Sequence, residues 1–342
     1  MAMICIPHNR PTLGPDESRA AQRVLESGWV AQGKQVEAFE NEFCSYVGLP
    51  GGHAVAVSSG TAALFLALWA LGARGQRVVL PGYACSALRH ATAMAGAQEV
   101  IADTSEGSPN IDAAEIASGS ADMAIVVHMF GLPADACRLD VPVIEDCAQA
   151  LGAAVGGVSV GLHGEIGIAS FYATKLLTTG GQGGMVYSKS RAHADAVRDY
   201  RQFDCRRDAR VRFNFQMTDL QAAIGRVQLR RLPEFLERRA RIFERYSRSG
   251  MELLDSSPLD PNHPSPVRYR AVLKTTSPER ALKSLEEAGI GAIVPINGWE
   301  LLGDPDSLPN ALELTRRTVS LPIYPSLSDD AVDRIIATVG NS

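Results

Sequence analysis

The stretch Ser170-Phe-Tyr-Ala-Thr-Lys175-Leu-Leu-Thr-Thr-Gly180-Gly-Gln-Gly-Gly184 decides how this chain is read. A lysine closes an apolar, aromatic run, and glycines follow at once, so its flanks are those of a buried strand end and a tight turn. Upstream, 29 positions before Lys175, Asp146 closes a second apolar run, Val143-Ile-Glu-Asp146. Working outward, further short apolar runs predict strands at 54–57, 78–80, 99–102, 123–128, 141–144, 168–172 and 184–188. Most do not alternate in polarity, as in strands buried on both faces. Helical segments at 61–73, 86–95 and 112–118 lie between the early ones, which makes right-handed parallel crossovers the expected connections. Helices at 16–27 and 35–46, stopped by Gly28 and Gly48, precede them. A long helical pattern over 218–248, interrupted near Pro233, leads to strands at 269–273 and 292–295 around a helix at 278–288, with a last helix at 329–338. The class is α/β: a large domain at 12–235, with a mostly parallel central sheet flanked by helices, and a small C-terminal α/β domain at 236–342.

Bulk properties narrow the function. With 342 residues, 46% of them hydrophobic, the chain can bury one large core and a smaller one. A net charge of −5 argues against a general nucleic-acid binder. The six cysteines form no CxxC pair and no zinc-like spacing with histidine, which fits a reduced, cytoplasmic setting and no metal. No secretory signal is apparent, and the most apolar run, 61–73, is too short to span a bilayer.

Three elements carry chemistry. Val57-Ser-Ser-Gly60-Thr-Ala-Ala-Leu64 is a strand end, a turn and a helix start, where the N–H groups of Gly60, Thr61 and Ala62 can form an anion site. The plainer reading is that Ser59 or Thr61 caps the helix. Asp146, at the carboxyl end of a parallel strand, lies where open sheets bind ligands, and can either hold a pyridinium nitrogen or cap a helix. Lys175 can form a Schiff base with an aldehyde cofactor and later move a proton.

These motifs, with Gly28-Trp-Val-Ala-Gln-Gly33, Val36-Glu-Ala-Phe-Glu40, Val127-His-Met-Phe-Gly131, Leu220-Gln-Ala-Ala-Ile-Gly225 and Leu321-Pro-Ile-Tyr-Pro325, resemble the DegT/DnrJ/StrS family of sugar aminotransferases over nearly the whole length. The resemblance implies a pyridoxal-phosphate enzyme of fold type I. Lys175 would form the internal aldimine, Asp146 would hold the pyridine nitrogen, and Gln149 would lie near the ring and its 3-hydroxyl. Gly60 and Thr61 would bind the phosphate through the backbone, with the Ser170 hydroxyl, and Asn214 would reach it from the second subunit of a homodimer. The implied reaction is a ping-pong transamination from L-glutamate to a keto sugar, nucleotide-linked in this reading. The alternatives are amination of a keto-cyclitol, or a cofactor-binding regulator without turnover. A related dehydratase would carry histidine in place of Lys175.

Some positions depart from the family pattern. Cys85 stands among the cofactor-binding positions where many members stack an aromatic ring, with Tyr83 as a candidate substitute. Arg212 replaces a common glycine and Gln216 a common basic residue, and 291–299 lacks the His and Tyr of many nucleotide-sugar members. Arginines 201, 206, 207, 210 and 212 form either a phosphate clamp or a solvated loop neutralised by Asp204 and Asp208. His128 reads as a packed strand-end residue more readily than as a base, and Cys147 as packing.

Overall fold

The computed structural model describes residues 5–111, 116, 121–135, 140–254 and 265–340. Helices α1 (Pro15–Ser27) and α2 (Lys34–Val47) lead into β1 (Ala54–Val57), α3 (Gly60–Ala70), β2 (Arg77–Pro81), α4 (Ala87–Met94), β3 (Gln98–Ala102), β4 (Met123–Val127) and β5 (Val143–Asp146). A short hairpin of β6 (Ala154–Val155) and β7 (Val158–Ser159) precedes β8 (Ile166–Ser170), β9 (Gly184–Tyr187) and α5 (Arg191–Arg201). Then come α6 (Asp219–Arg248), β10 (Ala271–Lys274), α7 (Pro278–Glu287), α8 (Pro309–Arg317), β11 (Thr318–Leu321) and α9 (Asp329–Gly340). The helix expected at 112–118 falls mainly outside the described residues.

Seven strands form one sheet in the order β1-β9-β8-β5-β4-β2-β3. The pairs from β3 to β8 are parallel, and β9 alone runs against its neighbours β8 and β1. Alternate strand residues feed two apolar layers, because side chains point to opposite faces with period two. Val55, Val57, Ile144 and Ile168 join one layer with α3, while Ala54, Ala56, Ala169 and Tyr187 join the other. Helix α3 is apolar on all sides and buried from Ala62 to Leu68, so it forms the centre of its layer. On the opposite face Phe171 meets Phe39 at 5.3 Å and Phe43 at 6.1 Å. A third cluster, with Ile242, Phe243, Tyr246, Leu285 and Val319, covers the two-stranded sheet of β10 and β11. Among the described residues no helix is long and apolar enough to cross a membrane.

Three sequence expectations fail here. Helix α6 is continuous through Pro233 for 30 residues. Proline in a helix interior costs about 3 kcal/mol. Pro233 is exposed, while Leu232 and Phe235 beside it are buried and hold the axis. Its start is fixed by a capping box in which Thr218 and Gln221 exchange hydrogen bonds. The segment 292–295 is no strand; only Ile293 bridges to Ser320, and β11 supplies the second strand. Finally, two strands are displaced by two residues: β5 runs to Asp146, not to Ile144, and β8 ends at Ser170, not at Tyr172.

Candidate active site

The parallel strands deliver their carboxyl ends to one edge. There Asp146 of β5 pairs with Ile168 of β8, and Ser170 of β8 pairs with Gly184 of β9. Beyond Ser170 the chain folds back on itself, with Phe171 N–H donating to Gly183 O at 2.8 Å and Ala173 N–H to Gly181 O at 3.0 Å. That return places Lys175 over the strand ends, where a cavity of about 240 Å³ opens. Gly60, Thr61, Cys85, Asp146, Gln149, Ser170 and Lys175 all line it. A larger hollow of about 730 Å³ beside α1 and α6 contains none of them, so side-chain chemistry and not size singles out the site.

At the start of α3, Ser59 Oγ accepts the Ala62 N–H at 3.1 Å, which removes Ala62 from the anion site expected from sequence. The N–H groups of Gly60 and Thr61 have no acceptor among the described residues. Gly60 must be glycine, because a Cβ there would stand 2.8 Å from Ser170 Cβ and 2.9 Å from its Oγ. The result is a close pairing of two N–H groups with a hydroxyl, a cradle suited to a phosphate.

Asp146 is buried, and its Oδ1 accepts the Ala148 N–H at 2.9 Å. Burial raises its carboxyl above the usual aspartate range, against the Ala148 bond and the charge of Lys175. The other oxygen has no protein donor among the described residues. A carboxylate so placed suits a protonated ring nitrogen, whose charge would restore the ionised form. Gln149 Oε1 accepts the Phe130 N–H at 2.9 Å, and Phe130 sits at φ 58°, a conformation costly for a bulky residue. Nearby, the Lys175 amine lies 5.4 Å from the centroid of the Tyr269 ring. Burial alone would raise that phenol, but the charges of Lys175, Arg270 and Arg239 outweigh it, and the net effect is a lowering. The cavity's donor set, cradle, isolated carboxylate and lysine thus fit pyridoxal phosphate.

The remaining candidates fall outside the cavity. Asn214 is exposed, its Oδ1 accepting the Gln216 N–H at 3.1 Å. Tyr83 cannot replace a stacking ring, because it is fully buried in the α3 layer, edge-on to Phe130 at 6.1 Å. His128 is committed on both nitrogens: Nδ1 accepts the Ala134 N–H at 2.9 Å, so Nε2–H donates to Glu145 at 3.0 Å. Cys147 is buried, and burial pushes its thiol up. Of the arginine group, Arg201 forms a buried pair with Glu40. Arg206, Arg210 and Arg212 are drawn to Asp199, with Asp208 also pairing Arg206 and Arg212. Asp204 instead accepts the Cys205 N–H. Sequence reasoning missed Tyr172 and Gln182, which line the cavity, although both flank Lys175 in the deciding stretch.

A lysine and a buried carboxylate beside a phosphate cradle, at the carboxyl edge of a mostly parallel sheet, are the constellation of a pyridoxal-phosphate-dependent enzyme of the α/β class. The chain belongs to the DegT/DnrJ/EryC1/StrS aminotransferase family, whose profile matches residues 11–340. It is 32% identical to the spore coat polysaccharide biosynthesis protein SpsC of Bacillus subtilis, over 98% of this chain and 96% of that protein. It is also 32% identical to a dTDP-4-dehydro-2,3,6-trideoxy-D-glucose 4-aminotransferase of Saccharopolyspora spinosa, over 96% and 94%. Among solved structures, the aminotransferase TlmJ of Streptoalloteichus hindustanus superposes with a TM-score of 0.90 at 30% identity, over 98% and 97% of the two chains.

Proposed function

We propose that this chain is a pyridoxal-phosphate-dependent sugar aminotransferase that moves an amino group from L-glutamate to a nucleotide-linked keto sugar in the cytoplasm. One observation carries the reading: Lys175, Asp146 and the free N–H groups of Gly60 and Thr61 meet in a single cavity. The resemblance to a dTDP-sugar 4-aminotransferase and to a polysaccharide biosynthesis protein supports the sugar and its nucleotide link.

In this reading the cofactor supplies an electron sink and a carrier for the amino group. Gly60 and Thr61 hold its phosphate through their N–H groups, with the Ser170 hydroxyl completing the cradle. Asp146 fixes the ring nitrogen as protonated, Gln149 lies beside the ring, and Cys85 occupies the stacking position with a thiol. Lys175 Nζ would hold the cofactor through its aldehyde group. Lys175 Nζ would also be the base that moves the donor's α-proton, the chemistry by which such a cofactor, with one water, turns an amino donor into a 2-oxo acid. The same base would serve the keto-sugar half-reaction in reverse. Leu64, Leu88, Val127 and Ile168 give the cavity a packed apolar floor.

The proposal divides the chain into a large domain, 12–235, and a small one, 236–342. It assigns Asn214 to the phosphate of a partner subunit in a homodimer, in keeping with its position outside its own cavity. The test is Lys175→Ala with pyridoxal phosphate and L-glutamate, followed by visible absorption. The parent protein loses its cofactor band to the aminated form, whereas Lys175→Ala binds cofactor without turnover. Sustained multiple turnover in that variant sinks the proposal.

A further inference from the structure

We propose that Arg270 receives the α-carboxylate of the amino donor and so restricts donors to α-amino acids. This rests on the aminotransfer reading and assigns a specificity residue that the motifs around Lys175 do not contain.

Arg270 lies just ahead of β10, with its guanidinium carbon 5.5 Å from the centroid of the Tyr269 ring. The Lys175 amine lies 5.4 Å from the same centroid. The two cations therefore address one aromatic ring from two separate parts of the chain. Arg270 is half-buried, and its hydrogen bonds run from Nη1 to His8 Nε2 and to Ser320 Oγ, each at 3.2 Å. Both partners are uncharged. Burial, and then the charge of Arg270 itself, hold the His8 imidazole at about 3, so it is neutral at pH 7. Nη1 accepts no further role, while Nε and Nη2 have no acceptor, and no carboxylate pairs with Arg270 among the described residues.

A partly buried guanidinium without a counter-ion is costly, and an open edge of two N–H groups matches a carboxylate in bidentate fashion. Arg239, the other cation acting on Tyr269, is unavailable, since it is fully buried and donates to the carbonyls of Tyr269 and Ile323. Asn9 anchors the His8 segment beside the site by donating to Thr174 O at 3.1 Å, so the cluster is fixed relative to Lys175. The donor amine must take the place of the Lys175 amine, and its carboxylate is then one carbon away. Arg270 stands outside the lining of the 240 Å³ cavity, but the Lys175 amine and the Arg270 guanidinium both lie within 5.5 Å of the Tyr269 ring centre, so the carboxylate would meet Arg270 beside that ring.

The test uses the pyridoxal-phosphate-loaded protein and its Arg270→Met and Arg270→Lys variants. The first readout is the L-glutamate concentration that half-converts the cofactor band. The second is the calorimetric affinity for 2-methyl-L-glutamate, which keeps both carboxylates but has no α-proton to lose. Loss of a charge-assisted bidentate contact corresponds to about 100-fold weaker binding. Arg270→Met is expected to lose that factor in both readouts, Arg270→Lys to regain part of it, and 4-aminobutyrate, which lacks the α-carboxylate, to bind all three proteins alike. Equal affinities in parent and Arg270→Met, or an equal loss for 4-aminobutyrate, overturns the assignment. So does a loss confined to the keto-sugar half-reaction, which would give the guanidinium to an anionic group of the sugar. Failure of every α-amino acid to convert the parent protein would instead remove the aminotransfer reading itself.

Discussion

Replacing Glu145 by glutamine changes one atom and should still cost several kcal/mol. Four donors converge on this buried carboxylate: the N–H groups of His163 at 2.7 Å and Gly164 at 2.6 Å on Oε1, with Gly161 N–H at 2.8 Å and His128 Nε2 at 3.0 Å on Oε2. A carboxamide has one oxygen, so its NH₂ group must face two of these donors whichever way it turns. Moving the His128 proton to Nδ1 gives no relief, because Nδ1 already accepts the Ala134 N–H. At about 1–3 kcal/mol for each buried group left unsatisfied, Glu145→Gln should lose about 4 kcal/mol. Acid offers an independent check. Burial opposes the charge, but His128 and the N–H groups of Gly164 and Gly161 hold the carboxyl down at about 2, from an ordinary 4.5. A depressed carboxylate contributes stability that is complete above about pH 4.5 and disappears as pH falls through about 2. The contribution is about 3 kcal/mol at 1.36 kcal/mol per unit. Urea unfolding, followed by near-ultraviolet circular dichroism at pH 7 and again between pH 5 and 3.5, reads both. A variant within about 0.5 kcal/mol of the parent at pH 7, or one that loses stability to acid as steeply as the parent, would refute this account of Glu145.

Asp146→Asn should keep the fold and bound cofactor while lowering kcat at least 100-fold, measured as single-turnover conversion by L-glutamate. Gly60→Ala should weaken cofactor affinity at least tenfold in an equilibrium titration, because the added Cβ stands 2.8 Å from Ser170 Cβ. In an ultraviolet titration of tyrosinate, the parent should show one phenol ionising below 10 that Tyr269→Phe lacks, since burial is outweighed there by Lys175, Arg270 and Arg239. Mixing inactive Asn214→Ala with inactive Lys175→Ala subunits should restore activity, because one site of each hybrid pair keeps both residues. No recovery after subunit exchange would place Asn214 in its own subunit's site.

What the sequence disclosed was mostly what local chemistry can carry. The strands β1, β4 and β9 were legible within a residue, because each is an unbroken apolar run between turns. β5 was misread at its end, because Glu145 and Asp146 look like residues past a strand. They remain in it because the loop at 161–164 and Ala148 supply donors that no nearby residue announces. β11 was missed for a related reason, since Thr318 and Ser320 are buried polar residues in a four-residue strand. Seven of the seventeen cavity-lining residues could be named in advance, because they fall in a few short motifs: Gly60 with Thr61, Asp146 with Gln149, Ser170 with Lys175, and Cys85. The cluster of His8, Tyr269, Arg270 and Ser320 could not, because it forms only when β10 pairs with β11 and the N-terminal segment packs beside them.

Helix α6 has a mechanical consequence. At 1.5 Å per residue its 30 residues form a rod about 45 Å long. Ala222, Leu229 and Leu232 are embedded in the layer behind the sheet, and Ile242, Phe243 and Tyr246 in the cluster over β10 and β11. Arg239 rivets the rod to the Tyr269 carbonyl at 3.1 Å. With no break at Pro233, the rod has no joint at which the two ends could turn independently. A tilt at one end would therefore carry the other with it, and the cluster over β10 and β11 would move with the layer behind the sheet as one body.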